Sequence, residues 1–178
     1  MKAIADSGNG HEAWFNALPP YLAKNPLFSY ASDPKVFVHG KTVLNCPSAN
    51  VKAPELNPLE RVVFNYGMNH KGNEGLDLSV PFSALSITSP SAFVLFSDVR
   101  THSSEKPFYG TRPEHELGVS HCTTRQLSSR HSEGANLLFA DGHAAYYKYS
   151  YVCTNTGTKA GDPGRPDIQW THDGHILK

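Results

Sequence analysis

Long apolar runs are missing from this chain of 178 residues. No stretch approaches the roughly 20 residues needed to span a bilayer. The opening, Met1-Lys-Ala-Ile-Ala-Asp-Ser-Gly-Asn-Gly10, is also too polar for a secretory signal. Excess charge is missing too. Sixteen basic and sixteen acidic residues cancel, and no three basic residues adjoin. That argues against a nucleic-acid binder, which carries a basic face, and against an anionic membrane surface as partner. Cysteine is scarce and odd in number: Cys46, Cys122 and Cys153. Their spacing holds no CxxC pair, so a thiolate zinc knuckle is not expected. There is no Gly-x-Ser-x-Gly elbow, no HExxH, no P-loop and no GxGxxG, which removes the common catalytic signatures.

Glycine and proline are plentiful, at 14 and 13 residues, so loops are abundant. The length suits one domain with one core, residues 1–178. Trp14, Ala17, Leu18, Tyr21 and Leu22 lie at helical spacing on one face, which predicts a helix over 11–24. Pro19-Pro20 must break it at Leu18 or restart it. Lys35–His39 and Val62–Phe64 read as short strands, and 92–99 as the clearest central strand. The tail after Thr154 is rich in Gly, Thr, Asp and Pro. It is expected to wrap the surface, anchored by Ile168 and Trp170.

The richest segment is Arg130-His-Ser-Glu-Gly-Ala-Asn-Leu-Leu-Phe-Ala-Asp-Gly-His143. Ala135–Ala140 is apolar except at Asn136 and suits a buried strand. Asp141-Gly142 is a tight-turn signal, because both residues tolerate positive φ. The returning strand is 143–152, rich in tyrosine. The fold class predicted is α+β: one short N-terminal helix and a small antiparallel sheet with long loops.

His131, nine residues, then Asp141-Gly142-His143 resembles the H-x9-DG domain of prepilin-type proteins. These are the pilin-like and pseudopilin-like proteins of bacterial surface filaments (type IV pili) and type II secretion systems. Other pieces agree in order: Ala13–Leu22 with its Trp and Pro-Tyr-Leu, Cys46-Pro47-Ser48, Tyr66-Gly67-Met68-Asn69, Phe93–Asp98 and Asp167–Trp170. The resemblance covers most of the chain from Trp14 onward. It implies a non-catalytic structural subunit, exported to the cell surface, periplasm or exterior. Its partners would be copies of itself or sister pilins in a filament. One departure is large: the family's basic leader and apolar stalk helix are not in this sequence. The chain is read as a soluble head domain freed of that helix by design or processing, or as a protein that never had it. The full-length protein would then be anchored in the inner membrane by the helix. A head of this kind should pack one sheet face on the stalk helix, leaving apolar surface there.

In an exported protein three cysteines suggest one disulfide and one orphan. Cys122 and Cys153 flank the hairpin and could staple its ends, or all three are buried reduced thiols. The resemblance also supplies a partner for Cys46, since the family often carries a cysteine on the stalk helix.

Two readings of the His–Asp segment stay open. In one, His131, Asp141, Gly142 and His143 stabilise the fold, with Asp141 bonding its own turn. His131 meets Asp141 only if 132–134 folds back, and otherwise each acts locally. In the other, His131, Asp141 and His143 join Asp98 as ligands for zinc or a similar ion. Asp98 and Asp141 share a rim only if their strands run parallel. Calcium is a separate possibility, with Asp162, Asp167 and Asp173 as oxygen ligands, though no cofactor is the leading expectation. Tyr147, Tyr149 and Trp170 could stack on sugar rings. That is the alternative function: a minor or tip subunit binding polysaccharide or another exported protein.

Overall fold

The structure, a computed structural model, describes residues 14–22, 24–30, 43–49, 63–71, 83–102, 104–106, 117–155 and 160–176. Alternation organises its central strands. In β4 (Gly134–Phe139), Ala135, Leu137 and Phe139 face a core and are fully buried, while Asn136 and Leu138 face the other way. Burying each of the two large side chains is worth about 1.5–3 kcal/mol. β4 lies antiparallel between β2 (Val94–Asp98) and β5 (Ala144–Lys148). β2 pairs antiparallel with β1 (Tyr66–Asn69), which pairs parallel with the two-residue β3 (His121–Cys122). The sheet order is β3-β1-β2-β4-β5.

The sheet is therefore mixed, where an antiparallel one was expected. β2 reverses the direction of β1, and β3 lies on β1's outer edge running the same way as β1. The close β1–β3 approach depends on Gly67: a Cβ there would meet the His121 carbonyl at 2.6 Å and Val99 Cγ1 at 2.7 Å.

The N-terminal helix breaks where proline demands. α1 (Trp14–Ala17) stops just before Leu18, and Pro19–Leu22 continues as a 3-10 turn. The returning hairpin strand ends early: after Lys148, residues Tyr149–Val152 form a helical turn, α2. The tail does not merely wrap the surface. Gln169 pairs with Phe93 in a parallel bridge, and Ile168 and Trp170 are buried in the core with Val94, Val99, Leu127, Leu137 and Phe139. β6 (Thr154–Asn155) and β7 (Ala160–Gly161) close a small hairpin before it. The strand expected at Lys35–His39 lies outside the described residues, and 63–65 lead into β1 without strand pairing of their own.

A turn forms at Asp141-Gly142, but it is longer than the two-residue type. Of the pair only Gly142 has positive φ, +91°, with open space where its side chain would project. The Gly142 amide donates to the Phe139 carbonyl at 3.0 Å and the Phe139 amide to the His143 carbonyl at 2.9 Å. A substitution there is penalised by backbone strain alone. Gly142→Val is predicted to lower stability by about 1–3 kcal/mol, and Gly142→Asn, which tolerates positive φ, by less. Urea denaturation measures both. Equal midpoints for the Gly142→Val variant and the parent would contradict the turn geometry.

Candidate functional site

The antiparallel β2–β4 pairing decides which sequence-predicted residues can meet. Ser97 pairs with Leu137 and Val94 with Phe139. Asp98, at the end of β2, therefore lies beside the start of β4, and Asp141 lies beyond its other end. His131 belongs to the Asp98 end. The expected group of His131, Asp141, His143 and Asp98 is split in two.

At the far end, Asp141 acts on its own turn. Its Oδ1 accepts from the His143 amide at 3.1 Å and pairs with His143 Nδ1 at 2.6 Å. These hydrogen bonds hold the Asp141 carboxyl below its ordinary range. The His143 ring stacks on Phe139 at 4.3 Å. The same device recurs at Asp173-Gly174-His175, with Gly174 at φ +77°, an amide bond of 3.2 Å and a ring contact of 2.7 Å. The repeated Asp-Gly-His triplet was the sequence signal for this second turn.

At the near end, the Asp98 carboxylate is 1% exposed. Its Oδ1 accepts from Arg130 Nη2 at 3.0 Å. Its Oδ2 accepts from the Asn136 amide at 2.8 Å and from Asn136 Nδ2 at 3.1 Å. Arg130 also donates from Nη1 to the Val99 carbonyl at 2.6 Å and from Nη2 to the Asn65 carbonyl at 2.7 Å. Its Nε meets Cys46 Sγ at 3.4 Å. Glu105 Oε2 lies 3.7 Å from Arg130 Nη1 and accepts a short bond from Ser128 Oγ. Glu105 Oε1 accepts from both Thr101 and His102 amides.

Cys46 is placed by its own backbone: its amide donates to Asn65 Oδ1 at 2.7 Å. The His131 Nε2 lies 3.4 Å from Cys46 Sγ and 3.5 Å from Asp98 Oδ2. Burial, then nearby Cys46 and Asp98, pushes the Tyr66 phenol up to about 12, against the lowering effect of Arg130. One ring nitrogen faces both the thiol and the carboxylate. A nucleophile–base–acid relay needs the acid on the other ring nitrogen, so the arrangement lacks that relay.

His131 reaches this corner through a tight turn. Ser132 and Glu133 both have positive φ, 49° and 63°. Flanking them, His131 and Gly134 exchange amide–carbonyl bonds at 3.0 and 3.2 Å. That is the geometry of a two-residue hairpin turn, without the Asn-Gly that favours it. Outside bonds hold the strain. The Ser132 carbonyl accepts from the Tyr146 hydroxyl and Lys148 Nζ, and the Glu133 carbonyl from the Tyr149 amide.

Beside the corner, a groove of about 310 Å³ opens on the outer sheet face. Trp14, Leu18, Leu22, Val43, Leu44, Phe96, Leu138 and Ala144 line it, with Tyr66, Asp98 and Asn136 at its polar end. Leu18, Leu22 and Val43 are exposed.

Other expected sites do not assemble. The three cysteines are free and buried, in place of a Cys122–Cys153 bridge. Both sit within the core, where the Cys153 thiol donates to the Tyr149 carbonyl at 3.1 Å. Burial pushes the thiols of Cys122 and Cys153 up to about 12 each. Trp170 is fully buried, so it offers no ring to a sugar. Tyr147 and Tyr149 are half-buried against the core. The calcium candidates are engaged separately: Asp162 by the Gly164 amide, Asp167 by the Tyr151 hydroxyl, Asp173 by His175. Among the described residues, the ligand-bearing side chains that gather are Cys46, Asp98 and His131.

Comparison with protein-family models, curated proteins and solved structures finds no match to this chain.

Two outcomes follow from this geometry. Asp98→Ala leaves Arg130 buried with its main charge partner gone and should cost about 3–5 kcal/mol, read as a shift in the urea midpoint. Equal stability of Asp98→Ala and the parent would contradict the role of the pair. Asp173 should titrate at about 2, below its ordinary 3.8, because His175 hydrogen-bonds it. Since the folded value is depressed, any stabilisation is whole above pH of about 4 and is lost as pH falls through the folded value. An NMR titration of the Asp173 carboxyl checks this, and His175→Ala should raise the midpoint part of the way back, since the residue 175 amide still bonds the carboxylate.

Proposed function

We propose that this chain is the globular head of a pilin-like or pseudopilin-like filament subunit, non-catalytic and exported, whose partners are further copies or sister subunits. The observation that carries the proposal is the apolar groove on the outer sheet face. Leu18, Leu22 and Val43 stand exposed at its rim. A face of this kind is suited to an apolar helix, which would cover these side chains and exclude water. Among the described residues no helix is long and apolar enough to cross a membrane, so the helix that fills the groove would be supplied from outside them. The meeting of Cys46 from the Cys-Pro-Ser piece, Tyr66 from the Tyr-Gly-x-Asn piece and His131 at one corner also supports the family reading, although Asp141-Gly142 lies at the other end of β4. The rival reading, a polysaccharide-binding tip subunit, loses Trp170 as a stacking platform and keeps the exposed Tyr21, Tyr146 and Tyr151.

The test is made in the native host. Cells expressing the chain from its own locus are sheared and the filament fraction is probed with antibody. The parent should appear there. Leu138→Glu, which puts a charge into the groove, should be produced and folded but excluded from it. Absence of the parent from the sheared fraction, or normal incorporation of Leu138→Glu, would contradict the proposal.

A further inference from the structure

We propose that Cys46, Asp98 and His131 form a mononuclear binding site for a divalent cation of the zinc class. This goes beyond the filament reading and does not depend on it. Three observations converge.

The first is spacing. Sγ to Nε2 is 3.4 Å and Nε2 to Oδ2 is 3.5 Å, and all three atoms lie within 4.8 Å of one another. Tetrahedral zinc with bonds of about 2.3 Å to sulfur and about 2.1 Å to nitrogen and oxygen separates S from N by about 3.6 Å and N from O by about 3.4 Å. By contrast, 3.5 Å is long for an N–H···O hydrogen bond, whose range is about 2.7–3.2 Å. A single Nε2–H can also satisfy only one of its two neighbours. A cation between them serves all three.

The second is capacity. The Asp98 carboxylate accepts three hydrogen bonds, from Arg130 Nη2 and from Asn136 N and Nδ2. A carboxylate offers about four lone-pair sites, two on each oxygen. Oδ2 already holds both Asn136 bonds and the open site is on Oδ1, so an ion bound at Oδ2 takes the place of the longer 3.1 Å bond from Asn136 Nδ2. The Arg130 bond and the Asn136 amide bond then fix the carboxylate in the way an outer shell orients a ligand. Imidazole, thiolate and one carboxylate select a borderline-soft ion over calcium or magnesium.

The third is charge. The carboxylates of Asp98 and Glu105 are buried and share one guanidinium, Arg130. A thiolate at Cys46 would add a third negative charge. A divalent cation brings these three anions and one guanidinium to neutrality, and ionising the thiol becomes favourable through the bond itself. His131 is 27% exposed, which leaves a path from solvent and room for a water as fourth ligand.

The bound ion would tie three distant segments together: the 43–49 loop, the end of β2 and the tight turn before β4. Asp141 and His143 take no part.

The full chain, stripped of metal and reduced, is titrated with Co²⁺. One equivalent should bind, with a thiolate-to-cobalt charge-transfer band and the intense visible bands of tetrahedral cobalt, and Zn²⁺ should bleach them. Cys46→Ser should lose the charge-transfer band. His131→Gln, at a half-exposed position that need not disturb the core, should weaken binding at least about tenfold, since even outer-shell changes weaken metal sites that much. Asp141→Asn and His143→Ala should bind as the parent does. No band in the parent, a band that survives in both Cys46→Ser and His131→Gln, or a band lost in Asp141→Asn would each overturn the assignment.

Discussion

A carboxylate taken out of water must be met by donors on nearly every side, or it is far too costly to bury. Asp98, at the end of β2, sets this condition for the whole molecule. Arg130 meets one oxygen and Asn136 meets the other. Because Asn136 bonds with both its backbone and its side chain, Asp98 fixes where β4 begins against β2. Because Arg130 also reaches the carbonyls of Asn65 and Val99, the same guanidinium fixes the approach to β1 and the exit from β2. Few conformations of 130–134 satisfy all of this. The one adopted holds Ser132 and Glu133 at positive φ, a strain that bonds from Tyr146, Lys148 and Tyr149 offset.

The two faces of the sheet divide the work. Ala135, Leu137 and Phe139 of β4 join Val94, Val99, Ile168 and Trp170 in a closed core. The opposite face carries Phe96, Asp98, Asn136 and Leu138 under an incomplete cover of α1 and the 3-10 turn, leaving the groove. Asp98 belongs to both the polar corner and the groove wall. Anything that seats in the groove therefore rests against the junction that orders the strands.

Much of this was legible in the sequence. Period-two alternation marked β4, Asp-Gly marked its turn, and Pro19-Pro20 marked the end of α1. The resemblance pieces also named residues that meet: Cys46, Tyr66, Asp98 and His131. What sequence could not supply was strand direction, and that decided the site. With β2 and β4 antiparallel, Asp141 and His143 moved to the far end, and Cys46 took their place beside His131 and Asp98. Arg130, Asn136 and Glu105 gave no signal, since an isolated polar residue in a loop or strand looks solvated until its partners are placed around it. The mixed sheet escaped notice because β3 is only two residues long, too short for any periodicity. Cys122 and Cys153 both lie in the core as free thiols, and where two cysteines lie relative to one another in a core is not reported by their spacing along the chain.

Native-state hydrogen exchange at the Asn136 amide tests the central role of Asp98 most directly. That amide is bonded to a side-chain carboxylate, where a strand amide would ordinarily bond to a backbone carbonyl. If the Asp98–Arg130 junction orders the sheet, the amide should exchange only through global unfolding. Its opening free energy should then equal that of the Leu137 and Phe139 amides and fall with denaturant at the same slope. Exchange through a local opening, with a lower free energy and little denaturant dependence while Leu137 and Phe139 stay protected, would contradict the account.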